Sequence, residues 1–132
     1  MMISSRGTYA LRVLIDLAAQ PPEAYTPLKE IVRRQDVSQK YLESIMTTLS
    51  KAGLVDAVHG RGGGYRLTRP PAEYTLGEIL RLTEGDLAPV SCLEQDCAPC
   101  PKAVSCKALP VWDSLNQLIN GYLDSVTLDT LL

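Results

Sequence analysis

Apolar residues recur at close to helical spacing from the start of the chain. Tyr9, Leu11, Val13, Leu14, Leu17 and Ala18 predict a helix over residues 5–20, stopped by Pro21-Pro22. Thr26-Pro27 then reads as an N-cap followed by proline at the first helical position, with Glu30 serving the first turn of a short helix to about Arg34. Gln35-Asp36-Val37 is a tight connection. Ser38 is the expected N-cap of a third helix, which carries Tyr41, Leu42, Ile45, Met46 and Leu49 on one face and ends at Lys51-Ala52-Gly53. Two short helices joined by so short a turn form the helix-turn-helix pattern. Leu54–Val58 and Tyr65–Leu67 predict two strands of a hairpin around the glycine-rich loop His59-Gly60-Arg61-Gly62-Gly63-Gly64. Thr75 caps a further short helix, Leu76 to about Thr83. Residues 84–107 show no periodicity. Residues 108–124 return to a 3-4 pattern with Val111, Trp112, Leu115, Leu118, Ile119, Tyr122 and Leu123, a stripe broad enough to pack against a partner chain. The predicted fold is mainly α with a small β-hairpin wing: a winged helix-turn-helix over 1–70, then 71–132 with dimerisation helices and a cysteine-rich sensor loop at about 84–107.

Composition changes this picture in three places. The chain has 132 residues, 45% hydrophobic and 21% charged, as expected of a globular protein, and it lacks Phe, so Leu, Ile and Val must build most of the core. The opening residues show no apolar run with a cleavage site, and no stretch approaches the roughly 20 apolar residues of a membrane span, so a cytoplasmic location is expected. Charge is divided: residues 1–70 hold ten Lys/Arg against six Asp/Glu (+4), residues 71–132 three against nine (−6). A basic front suits a polyanion and an acidic rear suits another task.

The four cysteines lie in the aperiodic stretch as Cys92-x4-Cys97-x2-Cys100-x5-Cys106. Clustered thiols in a reducing compartment suit soft-metal ligation: an iron–sulfur cluster, a structural zinc site, or instead a reversible Cys97–Cys100 disulfide. An enzyme is disfavoured. Cys97-Ala98-Pro99-Cys100 lacks the βαβ setting of a thiol oxidoreductase, and neither a nearby histidine base, a phosphate-binding loop nor a carboxylate pair is present. A zinc-stabilised protein-interaction module is a further alternative.

Four stretches resemble the IscR–NsrR–CymR family of bacterial winged-helix regulators: Ser5-Arg6-Gly7-Thr8-Tyr9-Ala10-Leu11, Val37-Ser38-Gln39-Lys40-Tyr41-Leu42-Glu43, Gly60-Arg61-Gly62-Gly63-Gly64-Tyr65-Arg66-Leu67, and Cys100-Pro101 through Cys106 to Trp112. The match runs through nearly the whole chain in order. The resemblance implies a homodimer on double-stranded operator DNA, in a family whose members sense iron–sulfur status, nitric oxide, redox state or cysteine supply.

In such a fold the recognition helix enters the major groove by its N-terminal residues, here Ser38, Gln39, Lys40, Tyr41 and Glu43. Gln39 can pair with adenine, Glu43 can accept from cytosine, and Ser38 and Tyr41 can hold phosphate or base edges. Arg61 at the wing tip suits a narrow minor groove. His59, the only histidine, reads as a wing residue where the family more often has arginine.

The resemblance also implies Cys92, Cys100 and Cys106 as ligands of a 2Fe–2S cluster. For the fourth ligand the chain departs from its relatives. Leu109 stands where IscR-like members have histidine, and Thr8 where NsrR-like members have an acidic residue. Cys97, in a loop two residues longer than in IscR, is the expected substitute. The runner-up reading is a cysteine-metabolism or thiol/disulfide regulator of the same fold without a cluster.

Overall fold

The computed structural model describes residues 3–95, 98 and 100–132. Ser4 opens the first helix, α1 (Ser5–Ala18), by accepting the Gly7 N–H. The second, α2 (Leu28–Gln35), is preceded by Pro27 in extended conformation with no side-chain cap. The expected Thr26 cap is therefore displaced by one residue. Thr26 is buried and its backbone is committed to the wing: its N–H donates to the Tyr65 carbonyl (2.8 Å) and its carbonyl accepts the Tyr65 N–H (2.9 Å). Asp36, at φ 52°, ends α2 and turns the chain. Helix α3 (Gln39–Lys51) begins where expected, with the Ser38 hydroxyl accepting the Tyr41 N–H.

The wing is an antiparallel hairpin of β1 (Val55–Val58) and β2 (Gly64–Leu67), in register Val55↔Leu67 through Val58↔Gly64, around the loop 59–63. Gly64 is buried, at φ 155°, and a Cβ there would overlap the Thr26 carbonyl. Glycine is what lets the wing lie against the segment before α2. After a 3₁₀ turn at Pro71–Glu73, α4 (Leu76–Glu84) is capped by Thr75, and a second 3₁₀ turn covers Ser91–Leu93. The last helix, α5 (Leu109–Ser125), is followed by a 3₁₀ turn at Leu128–Leu131. Among the described residues, five helices and one hairpin form the mainly helical winged architecture that the hydrophobic pattern predicts.

One core joins the two halves of the chain. Ala10, Val13, Leu14 and Leu17 of α1 pack with Ile31, with Leu42, Ile45, Met46 and Leu49 of α3, and with Leu54 and Val55 of the wing. Tyr74, Ile79 and Leu128 complete it from the second half. Tyr74 is fully buried and its hydroxyl donates to the Leu54 carbonyl at 2.6 Å, so the aromatic body fills the core while its polar end is satisfied. The chain after α5 folds back to bring Leu128 in. Thr75 pairs with Thr127, Leu76 N–H donates to Val126 O, and Leu128 N–H donates to Tyr74 O, both at 2.9 Å. A second cluster, Leu80, Leu87 and Leu123 with Leu76 and Ile119, holds α4 to α5. Arg81 reinforces it with two bonds to Asp124 (2.7 and 3.0 Å) and one to Asn120 (2.7 Å).

Candidate nucleic-acid interface and cysteine segment

Helix α3, the expected recognition helix, is fixed from beneath and open at its start. Leu42, Ile45, Met46 and Leu49 are buried, while Ser38, Gln39, Lys40 and Glu43 are exposed on the first turns. The Ser38 oxygen is occupied as a cap, but its hydroxyl proton is still available to a phosphate oxygen. Gln39 Nε2 donates to Glu43 Oε1 at 3.2 Å, so the two base-reading candidates orient each other across one helical turn. Tyr41 departs from a free polar reader. It is half-buried, and its ring meets Tyr9 edge-on at 6.0 Å and 82°. Arg12 lies over the Tyr9 ring at 5.2 Å.

An ion pair between the buried Asp16 and the solvent-reaching Arg34 ties α2 to α1. Arg34 donates to Asp16 through Nε (2.9 and 3.2 Å) and Nη2 (2.7 Å), and Gln35 Nε2 adds a bond at 3.0 Å. The hydrogen bond to Asp16 raises the pKa of Arg34 above its ordinary value. Sequence pattern did not mark this anchor; the signal available was an acidic residue inside the apolar stripe Val13, Leu14, Leu17.

On the wing, His59 and Arg61 are exposed on the loop, as expected of DNA-facing residues. The hairpin's base is stiffened by Arg66, which stacks on Tyr25 at 4.4 Å and pairs with Asp56 at 3.4 Å, and by the Tyr25 hydroxyl, which donates to Asp56 at 2.9 Å. That bond to a carboxylate raises the Tyr25 pKa. The structure thus groups the expected residues in two sets: Ser38, Gln39, Lys40, Tyr41 and Glu43 on one helix start, and His59 with Arg61 on one hairpin loop.

The cysteine segment runs between α4 and α5. Cys92 sits in the 3₁₀ turn, Cys106 lies three residues before α5, and Cys92, Cys100 and Cys106 are free, half-buried thiols. Cys97 lies outside the described residues. Asp86 organises the start of the segment: its carboxylate accepts Ala88 N–H and Gln95 N–H, each at 2.8 Å. The Gln95 bond first, then the Ala88 bond, holds the Asp86 pKa below the ordinary value. The donor chemistry fits a soft metal or a cluster. The arrangement does not yet assemble a site, because no three His, Cys, Asp or Glu side chains among the described residues come close enough to share a metal ion. Leu109, first residue of α5, offers no donor atom, and the Thr8 hydroxyl donates to the Ser4 carbonyl at 3.1 Å. No helix among the described residues is long and apolar enough to cross a membrane.

Comparison with known proteins places this geometry. Residues 3–132 match the Rrf2 family, described as "Iron-dependent Transcriptional regulator". The chain is 36% identical to the HTH-type transcriptional regulator CymR of Bacillus subtilis, covering 99% of this chain and 89% of the relative. It is 33% identical to the HTH-type transcriptional regulator IscR of Photobacterium profundum, covering 100% and 76%. Its fold superposes on the solved CymR of B. subtilis, a global cysteine regulator, with a TM-score of 0.81 at 35% identity, over 99% of this chain and 95% of that one. It superposes on T. potens IscR with a TM-score of 0.75 at 35% identity, over 99% and 85%. The capped helix α3, the glycine wing and the motifs around them therefore have one source: the chain belongs to the Rrf2 family of transcriptional regulators, with IscR and CymR among its homologues, and is not an enzyme.

Proposed function

We propose that the chain acts as a homodimer on double-stranded operator DNA. In this reading residues 1–70 bind DNA, and residues 71–132 dimerise and sense. Ser38, Gln39, Lys40, Tyr41 and Glu43 face the major groove; His59 and Arg61 reach the adjacent backbone or minor groove. The observation that carries the reading is α3, whose buried face is packed into the core while its capped first turn stands open. The Gln39–Glu43 bond presents an amide and a carboxylate as one unit, suited to neighbouring bases. The test is selection of a duplex from a random pool, followed by affinity measurements across salt. Binding should weaken linearly in log–log form as salt rises. Arg61→Ala should weaken binding, and Gln39→Ala or Glu43→Ala should relax preference at one base pair by about 1–3 kcal/mol. An Arg61→Ala variant that binds the selected duplex as tightly as wild type at matched salt overturns the wing assignment.

For the sensor we propose that Cys92, Cys97, Cys100 and Cys106 are the ligands of a 2Fe–2S cluster. Thiolates hold such clusters, which supply one-electron chemistry when bound. Three free, half-buried thiols within one segment support this, together with the family's description as iron-dependent. The segment joins α4 to α5, so ordering or releasing it bears on the helix that would face a second copy. A second reading, a cysteine-metabolism or thiol/disulfide regulator without a cluster, is favoured by the likeness to CymR. An anaerobic visible spectrum with metal analysis separates them. Brown protein with iron and sulfide supports the cluster; colourless, metal-free protein whose thiols oxidise reversibly supports the switch; colourless protein with zinc supports a structural site.

A further inference from the structure

Arg6, in the first turn of α1, reaches across to the middle of α3. Its Nη1 donates to Ser44 Oγ at 2.9 Å, and its Nη2 to the Ser44 carbonyl at 3.1 Å and to Thr48 Oγ1 at 2.6 Å. One planar guanidinium thus grips backbone and side chains of the recognition helix. The same turn of α1 is held from the other end by Glu84, the last residue of α4. Glu84 Oε1 accepts from the Ser4 N–H (3.2 Å), the Ser4 hydroxyl (2.5 Å) and the Thr83 hydroxyl (3.3 Å). Gly7 makes this approach possible: a Cβ there would overlap Glu84 Oε1 and stand 3.0 Å from Thr83 Oγ1. Glu84 leads directly into the cysteine segment. Gly85 turns the chain at φ 77°, and Asp86 then gathers residues 88–95, Cys92 among them, through its bonds to Ala88 and Gln95.

We propose that Arg6 and Glu84 are positioning residues for DNA recognition, the two ends of a hydrogen-bonded linkage through the first turn of α1. The base of the cysteine segment sets where Ser4 and α1 begin, and Arg6 carries that placement to Ser44 and Thr48 on α3. Charged partners at both ends make these bonds stronger and more directional than neutral ones, and a helical turn between them carries displacement as a rigid piece. The inference rests on the reading of α3 as the DNA-recognition helix.

The test has two arms on the full chain. Hydrogen exchange over residues 39–51 is compared between wild type, Glu84→Ala, and Arg69→Ala as control, at temperatures equally far below each melting point. Arg69 pairs with Glu78 near the start of α4, away from the linkage. Glu84→Ala should speed exchange of 39–51 several-fold, and Arg69→Ala should leave it as in wild type. In the second arm, Arg6→Ala and Glu84→Ala should each weaken binding to the selected duplex about tenfold, with the double variant no weaker than either alone, because both cut one linkage. Should Glu84→Ala not fold, Arg6→Lys, which keeps the charge but loses the fork, takes its place in the exchange arm with the same expectation. Exchange over 39–51 indistinguishable from the control, or affinity losses that multiply, overturns the linkage. Exchange needs no DNA: a wild type that binds no duplex overturns the DNA reading and the recognition role together, whereas unchanged exchange with intact duplex binding overturns the linkage alone.

Discussion

Single side chains fix the helix-turn-helix more than its apolar pattern suggests. Asp16 is almost fully buried and holds Arg34 through both Nε and Nη2, with Gln35 as a further donor, while Arg12 Nε donates to Gln35 Oε1 at 3.0 Å. The Arg34 side chain keeps 30% of its surface exposed against 4% for Asp16, so losing Arg34 strands a buried carboxylate, whereas losing Asp16 leaves a guanidinium that water can reach. Arg34→Ala should therefore lower the unfolding free energy by about 1–3 kcal/mol, more than an exposed pair such as Arg33–Glu30 contributes. Chemical denaturation checks it; a loss below about 1 kcal/mol would mean that Gln35 and water satisfy the Asp16 carboxylate without Arg34. The open start of α3 was legible because an N-cap and a helix start are local features: Ser38 caps where expected and Gln39, Lys40 and Glu43 stand exposed after it. Arg6, Asp16 and Glu84 were not legible. Their partners lie 38, 18 and 80 positions away along the chain, and no periodicity relates such pairs.

Among the elements, α5 is the one left unfinished in a single chain. Val111, Leu118 and Tyr122 are 60%, 70% and 67% exposed, with Trp112 and Leu115 beside them, while Leu123 and Ile119 close on α4. A helix with apolar residues on both its inner and outer sides needs a second surface, and a second copy supplies one by two-fold symmetry, as a palindromic DNA site requires. Replacing Leu115 and Leu118 by Glu should give monomers or insoluble protein, read by sedimentation; a wild type that is monomeric at micromolar concentration would contradict the assignment. The outer stripe was legible because seventeen residues offer several repeats of the 3-4 pattern. Short elements were read less well. The Thr26 cap moved because a backbone pairing with Tyr65, thirty-nine positions along the chain, outweighed the local capping preference. The return of Leu128 to the core went unseen for the same reason: one apolar residue in a four-residue turn carries no period, and only the pairing of Thr127 with Thr75 places it.

At the scale of the whole molecule, the basic and acidic halves share one core, since Tyr74, Ile79 and Leu128 pack with the residues of α1, α2 and α3. A change at the cysteine segment therefore meets a continuous packed body, entered at α4 through Asp86 and Glu84 and at α5 through Cys106. In the cluster reading proposed above, the thiols are the ligands. Leu109 has no donor to offer and the Thr8 hydroxyl is turned to its own helix, so neither supplies a fourth ligand in the way that the family resemblance assigns to those positions. Cys97 is the remaining thiol of the four, and its ligation would make the site all-thiolate, with a lower reduction potential than a site holding a neutral histidine, because each thiolate adds negative charge around the iron. The expected result of replacing each cysteine singly by alanine, then reconstituting anaerobically with iron and sulfide, is that all four variants lose the visible spectrum of the wild type or shift its potential. A Cys97→Ala protein that keeps both, while the Cys92, Cys100 and Cys106 variants lose the cluster, removes Cys97 from the ligand set; four variants and a wild type that all stay colourless remove the cluster and leave the thiols to zinc or disulfide chemistry.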